Sequence, residues 1–358
     1  MDLSESEKNL LTLIGEDSQL SRSQLQYKLE YKRASTVSIK MKDLRKADYI
    51  KGPYYHINFN AVGTNYTSNV FCEIRFDPNQ YHTVLELVKC IDCWEWIFPT
   101  IQGDTLFAFF RSNYYTYLTR LLTILKNADL IEYQVHVSQN RWYVQNPTFS
   151  GRVFPQVADL FEDVVVDMGY PEKTHTTRWR FIDLKMMQYL QVRTCSISEI
   201  QRIEKKVYGR FWRRSDVKYS IEKIVSTGAA ERKYYNISPY PRDECFAFLL
   251  LVEGDALDVL RFTVNFGKQC RIYKAYTMCR DKGFIWCWAS PQIGPELMSV
   301  LDRLYPRIQV RCLQVKSAHH AMKKSFNDEH FDLEKQKWKF PFKKYKEEIE
   351  SLLEKRKR

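Results

Sequence analysis

The chain reads as an α+β protein in which one plan is written twice, a small helical domain followed by a βαββαβ unit. Three observations predict this. Apolar residues at Val37, Met41, Leu44 and Ile50 recur at Val217, Ile221, Ile224 and Ala230, a constant offset of 180 residues in a chain of 358. Each of these helical stretches follows a shorter one, and each precedes an aromatic run with strand-like alternation. A repeat this long describes paired domains and not a solenoid, whose periods are roughly 20–50 residues.

The elements of the first copy follow from local signals. Ser4 or Ser6 caps a helix over Glu7–Ile14, which Gly15-Glu16-Asp17 breaks. A short helix begins at Leu20–Leu25, and a third runs from Ser35 to Lys46. Lys51-Gly52-Pro53 reads as a turn, and Tyr54–Phe59 alternates as a strand. Three short helices with a β-hairpin make a winged helix-turn-helix. From Asn69 the texture changes. Strands over Val70–Phe76, Cys93–Ile101, Thr105–Phe110 and Leu130–Val137 alternate with helices over Tyr81–Cys90 and Tyr114–Asn127. That order is the ferredoxin-like arrangement.

Pro147, Gly151, Pro155 and Pro171 punctuate the connection to the second copy, where Phe154–Met168 has room for one short helix. Helices over Phe181–Leu190, Ser198–Lys205 and Arg214–Thr227, with a wing strand over Glu231–Ser238, repeat the winged helix. Strands over Cys245–Glu253, Arg271–Met278, Phe284–Ser290 and Ile308–Gln314 and helices over Ala256–Phe266 and Gly294–Tyr305 repeat the ferredoxin-like unit. The expected division is 1–64 and 179–240 for the winged helices, 65–140 and 241–316 for the ferredoxin-like domains, 141–178 for a linker, and 317–358 for a charged helical tail outside both cores.

Composition excludes several classes. With 44% hydrophobic and 15% aromatic residues the chain has ample material for buried cores. No apolar run approaches the ~18 residues of a membrane span. The acidic N-terminus is not a secretory signal, and nine irregularly spaced cysteines suit free thiols in the cytoplasm better than a disulfide framework. A net charge of +12 favours a polyanionic partner.

The run Val37-Ser38…Met41…Leu44…Ile50, with Gly63 where a wing strand ends, resembles the recognition helix of the leucine-responsive regulator (Lrp/AsnC) family. Gly103-Asp104 resembles the turn of that family's effector-sensing domain. In the second copy Val217, Ile221, Ile224 and Gly228 fit the same pattern, whereas Arg280-Asp281-Lys282-Gly283 replaces the glycine–aspartate turn. Members of the family carry one copy and dimerise. The resemblance therefore implies a sequence-specific, cytoplasmic DNA-binding transcription regulator, folded as an intramolecular pseudo-dimer and open to further dimerisation. It also implies a small-molecule effector such as an amino acid at Gly103 and Asp104. No cofactor, metal or membrane partner is expected.

A helix in the major groove needs short polar residues at its start and long donors on one face. Ser35, Thr36, Ser38, Lys40, Lys42 and Arg45, with Arg33 before them and Lys51 on the wing, meet that need in the first copy. Arg210, Arg213, Arg214 and Lys218, with Arg232 on the wing, meet it in the second, although Glu222 shares that face. Enzymatic patterns are weak. Cys90 and Cys93 have CxxC spacing without a second pair, His319-His320 has no companion ligands, and Trp94, Trp96, Trp286 and Trp288 read as sheet-packing residues. The expectation is thus no enzyme. Two rivals stand beside it: an enzyme on the same scaffold, as in the sirohaem decarboxylases that resemble this family in fold, and an interaction scaffold with degenerate winged helices.

Overall fold

The computed structural model describes residues 3–169, 177–192, 196–316 and 322–357; Pro171 and the His319-His320 pair lie outside the described residues. The chain opens with helices α1 (Glu5–Glu16), α2 (Arg22–Lys28) and α3 (Ala34–Lys46), strand β1 (Ile50–Ile57) and the single turn α4 (Phe59–Val62). A first ferredoxin-like unit follows as β2 (Ser68–Arg75), α5 (Tyr81–Cys90), β3 (Trp94–Pro99), β4 (Thr105–Ser112), α6 (Tyr115–Asn127) and β5 (Glu132–Ser138). After the short strand β6 (Tyr143–Gln145) come α7 (Phe181–Val192), α8 (Ile197–Tyr208), α9 (Arg214–Ser226) and β7 (Ala230–Ile237). The second unit is β8 (Phe246–Gly254), α10 (Ala256–Asn265), β9 (Tyr273–Cys279), β10 (Lys282–Ala289), α11 (Gly294–Leu304) and β11 (Ile308–Gln314). The tail holds β12 (Met322–Lys323), β13 (Phe331–Asp332), β14 (Lys337–Trp338) and α12 (Phe342–Lys357). Helices α3 and α9, and strands β1 and β7, keep the 180-residue offset at both ends.

The chain divides into two compact units that do not follow the six sequence segments. Unit one comprises Met1–Pro53, Asn140–Gly169 and Lys233–His320; unit two comprises Tyr54–Gln139, Tyr170–Arg232 and Ala321–Arg358. The α+β class with winged helices and ferredoxin-like sheets is as the sequence predicts, but the pieces are interleaved.

In unit one, α1 begins with Ser4, whose backbone N–H donates to the Glu7 carboxylate at 2.9 Å, a reciprocal cap that satisfies donors a helix start leaves open. Leu10, Leu11, Leu25, Val37, Met41 and Leu44 meet in one core, the last three at helical spacing on α3. Phe149 of the linker and Ile237 of β7 complete it. The sheet of this unit has the order β11-β8-β10-β9-β6, the ferredoxin-like order plus a linker strand on the edge. Helices α10 and α11 cover one face, with Leu250, Val259, Phe262, Ile285 and Leu297 wholly or nearly buried between the layers. The linker forms a 3-10 turn at Ala158–Phe161 in place of the expected helix over Phe154–Met168, and Leu160 is fully buried in this core.

Unit two repeats the layout. Its sheet has the order β12-β3-β4-β2-β5, so here the tail supplies the extra edge strand. Val70, Ile74, Leu87, Ala108, Leu118 and Leu122 fill the layer between sheet and helices, joined by Tyr345 and Ile349 of α12. The tail is therefore part of a core, a correction to its expected place outside both. Its aromatic residues explain the difference. Phe326, Phe331 and Trp338 bury against Phe59, Val62, Leu184 and Val217, where solvation would leave large apolar surfaces wet.

The wing also differs from expectation. Lys51-Gly52-Pro53 is no turn; it lies within β1, and no hairpin return follows because Asn58 caps α4, its side chain accepting from the backbone of Asn60 and Ala61. The partner of β1 is β7. Ser238 N donates to Tyr49 O at 2.9 Å in unit one, and Asn58 N donates to Ala229 O at 2.8 Å in unit two.

Candidate functional site

The residues assigned to DNA contact fall into two groups. Arg33, Ser35, Lys42 and Arg45 are exposed along α3, and Arg213, Arg214 and Lys218 are exposed along α9. Thr36 and Ser38 are half-buried. Three of the remaining cations have carboxylate partners. Lys40 lies 3.7 Å from Glu7 and Lys51 3.1 Å from Asp48. Arg210 pairs at 3.2 Å with Glu204, whose side chain is 1% exposed, and its guanidinium lies over the rings of Phe181 and Tyr208. That arginine closes the α8–α9 corner from within. Lys218 and Glu222 sit 3.7 Å apart on one face, and the side chain of Arg232 is outside the described residues. Each helix exposes one large apolar residue at the matched position, Ile39 and Tyr219.

Gly103 occupies the β3–β4 turn with φ +79°, a left-handed conformation that glycine adopts without strain. Nothing lies within 4 Å of where its Cβ would stand, and Asp104 is exposed while its carbonyl accepts from Phe76 N at 2.8 Å. The turn closes the hairpin, and no close approach to the glycine requires a ligand.

Unit two carries a buried polar cluster that no sequence spacing announces. A register shift between Trp94 and Trp96 on β3 brings Glu95 beside Arg111 of β4. The Arg111 Nε donates to Glu95 Oε1 at 2.9 Å and its Nη2 to Oε2 at 3.2 Å, with both side chains 9% exposed. The guanidinium stacks 4.2 Å above the ring of Phe59. From the tail, Lys324 donates to the carbonyl and carboxylate of Asp92, and Asn327 Nδ2 donates to Asp92 Oδ2 at 2.8 Å. Trp338 is anchored at both ends. Its Nε1 donates to Phe59 O at 3.0 Å, and its carbonyl accepts from Asn113 Nδ2 at 2.8 Å. His330 Nε2 shares a 2.6 Å hydrogen bond with Tyr345 Oη.

Part of this cluster lines a cavity of about 30 Å³, with Cys93, Glu95, Arg111, His330, Trp338 and Lys339 in its wall. Burial pushes the His330 imidazole down to about 4 and drives the Cys93 thiol and Tyr345 phenol well above their ordinary range. At neutral pH the ring is uncharged, and thiol and phenol keep their protons. Cys93 is thus no nucleophile, and Cys90 is likewise a free thiol that burial pushes up. A neutral imidazole bonded to a phenol is a proton donor–acceptor pair. The volume takes one or two waters, or one carboxylate group, and is far below the ~300 Å³ at which whole-ligand pockets begin.

Unit one shows what the scaffold does without this chemistry. By strand register, Trp288 of β10 stands where Arg111 stands on β4, and Lys274 of β9 stands near the place of Glu95. Trp288 stacks on Tyr273 at 4.4 Å, while Lys274 turns inward to donate to the carbonyls of Thr263 and Val264. The fold therefore does not require the Glu95–Arg111 pair. Among the described residues no group of histidine, cysteine and carboxylate side chains has the makings of a metal site, and no helix is long and apolar enough to cross a membrane. The signal that sequence reading missed is the tail itself. Six aromatic residues between Phe326 and Tyr345 are too many for a solvated segment.

No protein-family model matches the chain, and no curated protein does. Solved structures match it. The crystal structure of the siroheme decarboxylase NirDL aligns with TM-score 0.51 and 10% identity, covering 99% of this chain and 100% of that one. The same enzyme in complex with an iron-uroporphyrin III analogue aligns with TM-score 0.50 and 10% identity over 98% and 99%. The LrpC protein of B. subtilis covers 39% of this chain and 97% of its own, with TM-score 0.32 and 15% identity. The fold is thus shared from end to end with the siroheme decarboxylase. The expectation of no enzyme is corrected by this finding, because the structures that match the whole plan are those of an enzyme.

Proposed function

We propose that the chain is an enzyme that decarboxylates a carboxylate-bearing tetrapyrrole. One observation carries the reading: the correspondence to the siroheme decarboxylase runs through linker and tail, the segments that a single-copy regulator lacks. The buried cluster of unit two supports it, since an imidazole in the wall of a small cavity, hydrogen-bonded to a phenol, suits proton delivery. A net charge of +12 suits a substrate with several carboxylates. The 180-residue offset of α3 and α9 supports a tandem duplication in which the copies have diverged in chemistry. Anaerobic titration with siroheme and with iron-uroporphyrin III, followed by absorbance and mass spectrometry, tests the reading. Binding followed by loss of CO₂ from at least one of them is the expected result; no spectral change with either overturns it.

A second reading rests on a separate observation. Arg33, Lys42 and Arg45 on α3 and Arg213, Arg214 and Lys218 on α9 remain exposed, as duplex DNA contact requires. Gel-shift titration at two salt concentrations, with Ser38→Ala and Arg214→Ala beside the parent, tests it. Specific binding that both variants weaken is the expected result. Parent and variants that bind alike to specific and random duplexes count against these helices as readers.

A further inference from the structure

We propose that the turn between α8 and α9 docks the protein on an anionic lipid surface, with Phe211 entering the interfacial layer and the cations beside it meeting headgroup phosphates. Between Lys205 and Ser215 the chain carries five cations and no acid, interleaved with Val207, Tyr208, Phe211 and Trp212. Phe211 is 75% exposed, Val207 63% and Tyr208 54%, so three large apolar side chains stand out from one turn.

The turn is built to hold them there. Gly209 ends α8 in a left-handed conformation with φ +66°, and Arg210 N donates back to Glu204 O at 3.0 Å. Gln201 Nε2 donates to Trp212 O at 2.9 Å, and the Trp212 ring packs against the winged-helix core while Phe211 faces water. In the first copy the residue 180 positions earlier is Tyr31. It packs on its own core and shares a 2.6 Å hydrogen bond with Ser6, and Glu30 interrupts the cations beside it. The winged helix therefore does not require an exposed ring or an unbroken cationic run at this turn.

Lys205, Lys206, Arg213 and Arg214 are exposed, and among the described residues none of them pairs with a carboxylate. Arg210 is held by Glu204, and the acids Asp216 and Glu222 of α9 lie beyond the run. Stable docking on a bilayer takes two contributions, buried apolar surface and attraction to anionic headgroups, and this turn offers both. Single-stranded nucleic acid also uses rings and cations, but it stacks its bases on open ring faces. Here cations already lie over the rings, Lys205 at 5.3 Å from Phe211 and Arg210 at 4.9 Å from both Tyr208 and Phe181. Val207 has no face to offer a base. A duplex would use Arg213 and Arg214 and leave the three apolar side chains against its phosphates. A lipid interface takes them all, the apolar groups below the headgroups and the cations among them. The docking is peripheral, since among the described residues no helix is long and apolar enough to cross a membrane.

The test is sedimentation of the full chain with vesicles of phosphatidylcholine, alone or mixed with phosphatidylserine. Retention by the mixed vesicles, weakened by salt, and little retention by the neutral ones is the expected result. Phe211→Ala should lower the partition coefficient about tenfold, and Phe211→Trp should keep it. Changing Lys205, Lys206, Arg213 and Arg214 one at a time to glutamine should cost about fivefold each. Tyr27→Ala removes an exposed ring of the first copy and should bind as the parent does. The proposal fails if mixed vesicles do not retain the parent, or if they retain Phe211→Ala equally well. It also fails if a single-stranded oligonucleotide strips the chain from the vesicles and Phe211→Ala weakens oligonucleotide binding by the same factor, since nucleic acid is then the occupant of the turn.

Discussion

Lys274 is wholly buried, and its ammonium donates to the carbonyls of Thr263 at 2.9 Å and Val264 at 2.6 Å, where α10 leaves acceptors open. Burial lowers its pKa to about 7. The unfolded chain holds that proton up to about 10.4, so between these values the folded state binds fewer protons and stability rises with pH. Below about 7 the penalty is fully present. Thermal midpoints of the parent should therefore climb from pH 7 to pH 9 relative to Lys274→Met, whose curve lacks this contribution; parallel curves would show that the ammonium is not desolvated. Gly63 poses a purely steric question. A Cβ there would stand 2.4 Å from Cδ1 of the Trp338 indole, which is fixed by its bond to Phe59 and cannot swing aside. Gly63→Ala should cost about 1–3 kcal/mol, an overpacking penalty, and Trp338→Phe in the same chain should recover part of it in denaturant titrations.

At the scale of elements, what was legible in the sequence was local. Helices α3 and α9 show themselves because Val37, Met41 and Leu44, like Val217 and Ile224, recur at the helical period and bury together. Strands showed themselves by alternation, but the choice of face needs the register. Phe248 and Tyr276 share parity with Leu250 and Met278 and point to α10 and α11, whereas Trp286 points to the opposite face. Long-range pairing was illegible. The partner of β1 lies 180 residues away, and the site joins β3, β4 and a tail more than 200 residues further on, a distance at which spacing carries no information. The tail gives the sharpest test. Ile349 is fully buried among the helices of unit two, so Ile349→Ala should cost about 2–5 kcal/mol. A solvated tail would lose less than about 0.5 kcal/mol, and urea unfolding separates the two.

For the whole molecule, a charge of +12 attracts any polyanion, so charge alone does not choose between a carboxylate-rich tetrapyrrole and a duplex. The distribution does. Arg111 at the unit two cavity is paired with Glu95 and Lys339 is exposed in the cavity's wall, while the cations of α3 and α9 that remain exposed are no part of that lining. The two ligands should therefore respond to different substitutions. Replacing Arg33, Lys42 and Arg45 together by alanine should lower the salt slope of duplex binding by roughly 0.9 for each phosphate left unneutralised. Replacing Lys40, Lys51 or Arg210 should change it little, because their carboxylate partners already hold them. Iron-uroporphyrin III titrated into the same triple variant should bind and turn over as in the parent. If the triple variant loses tetrapyrrole binding and keeps its duplex slope, the assignment of chemistry to unit two and of surface charge to the helices is reversed, and the exposed face of α3 becomes the place to look for substrate.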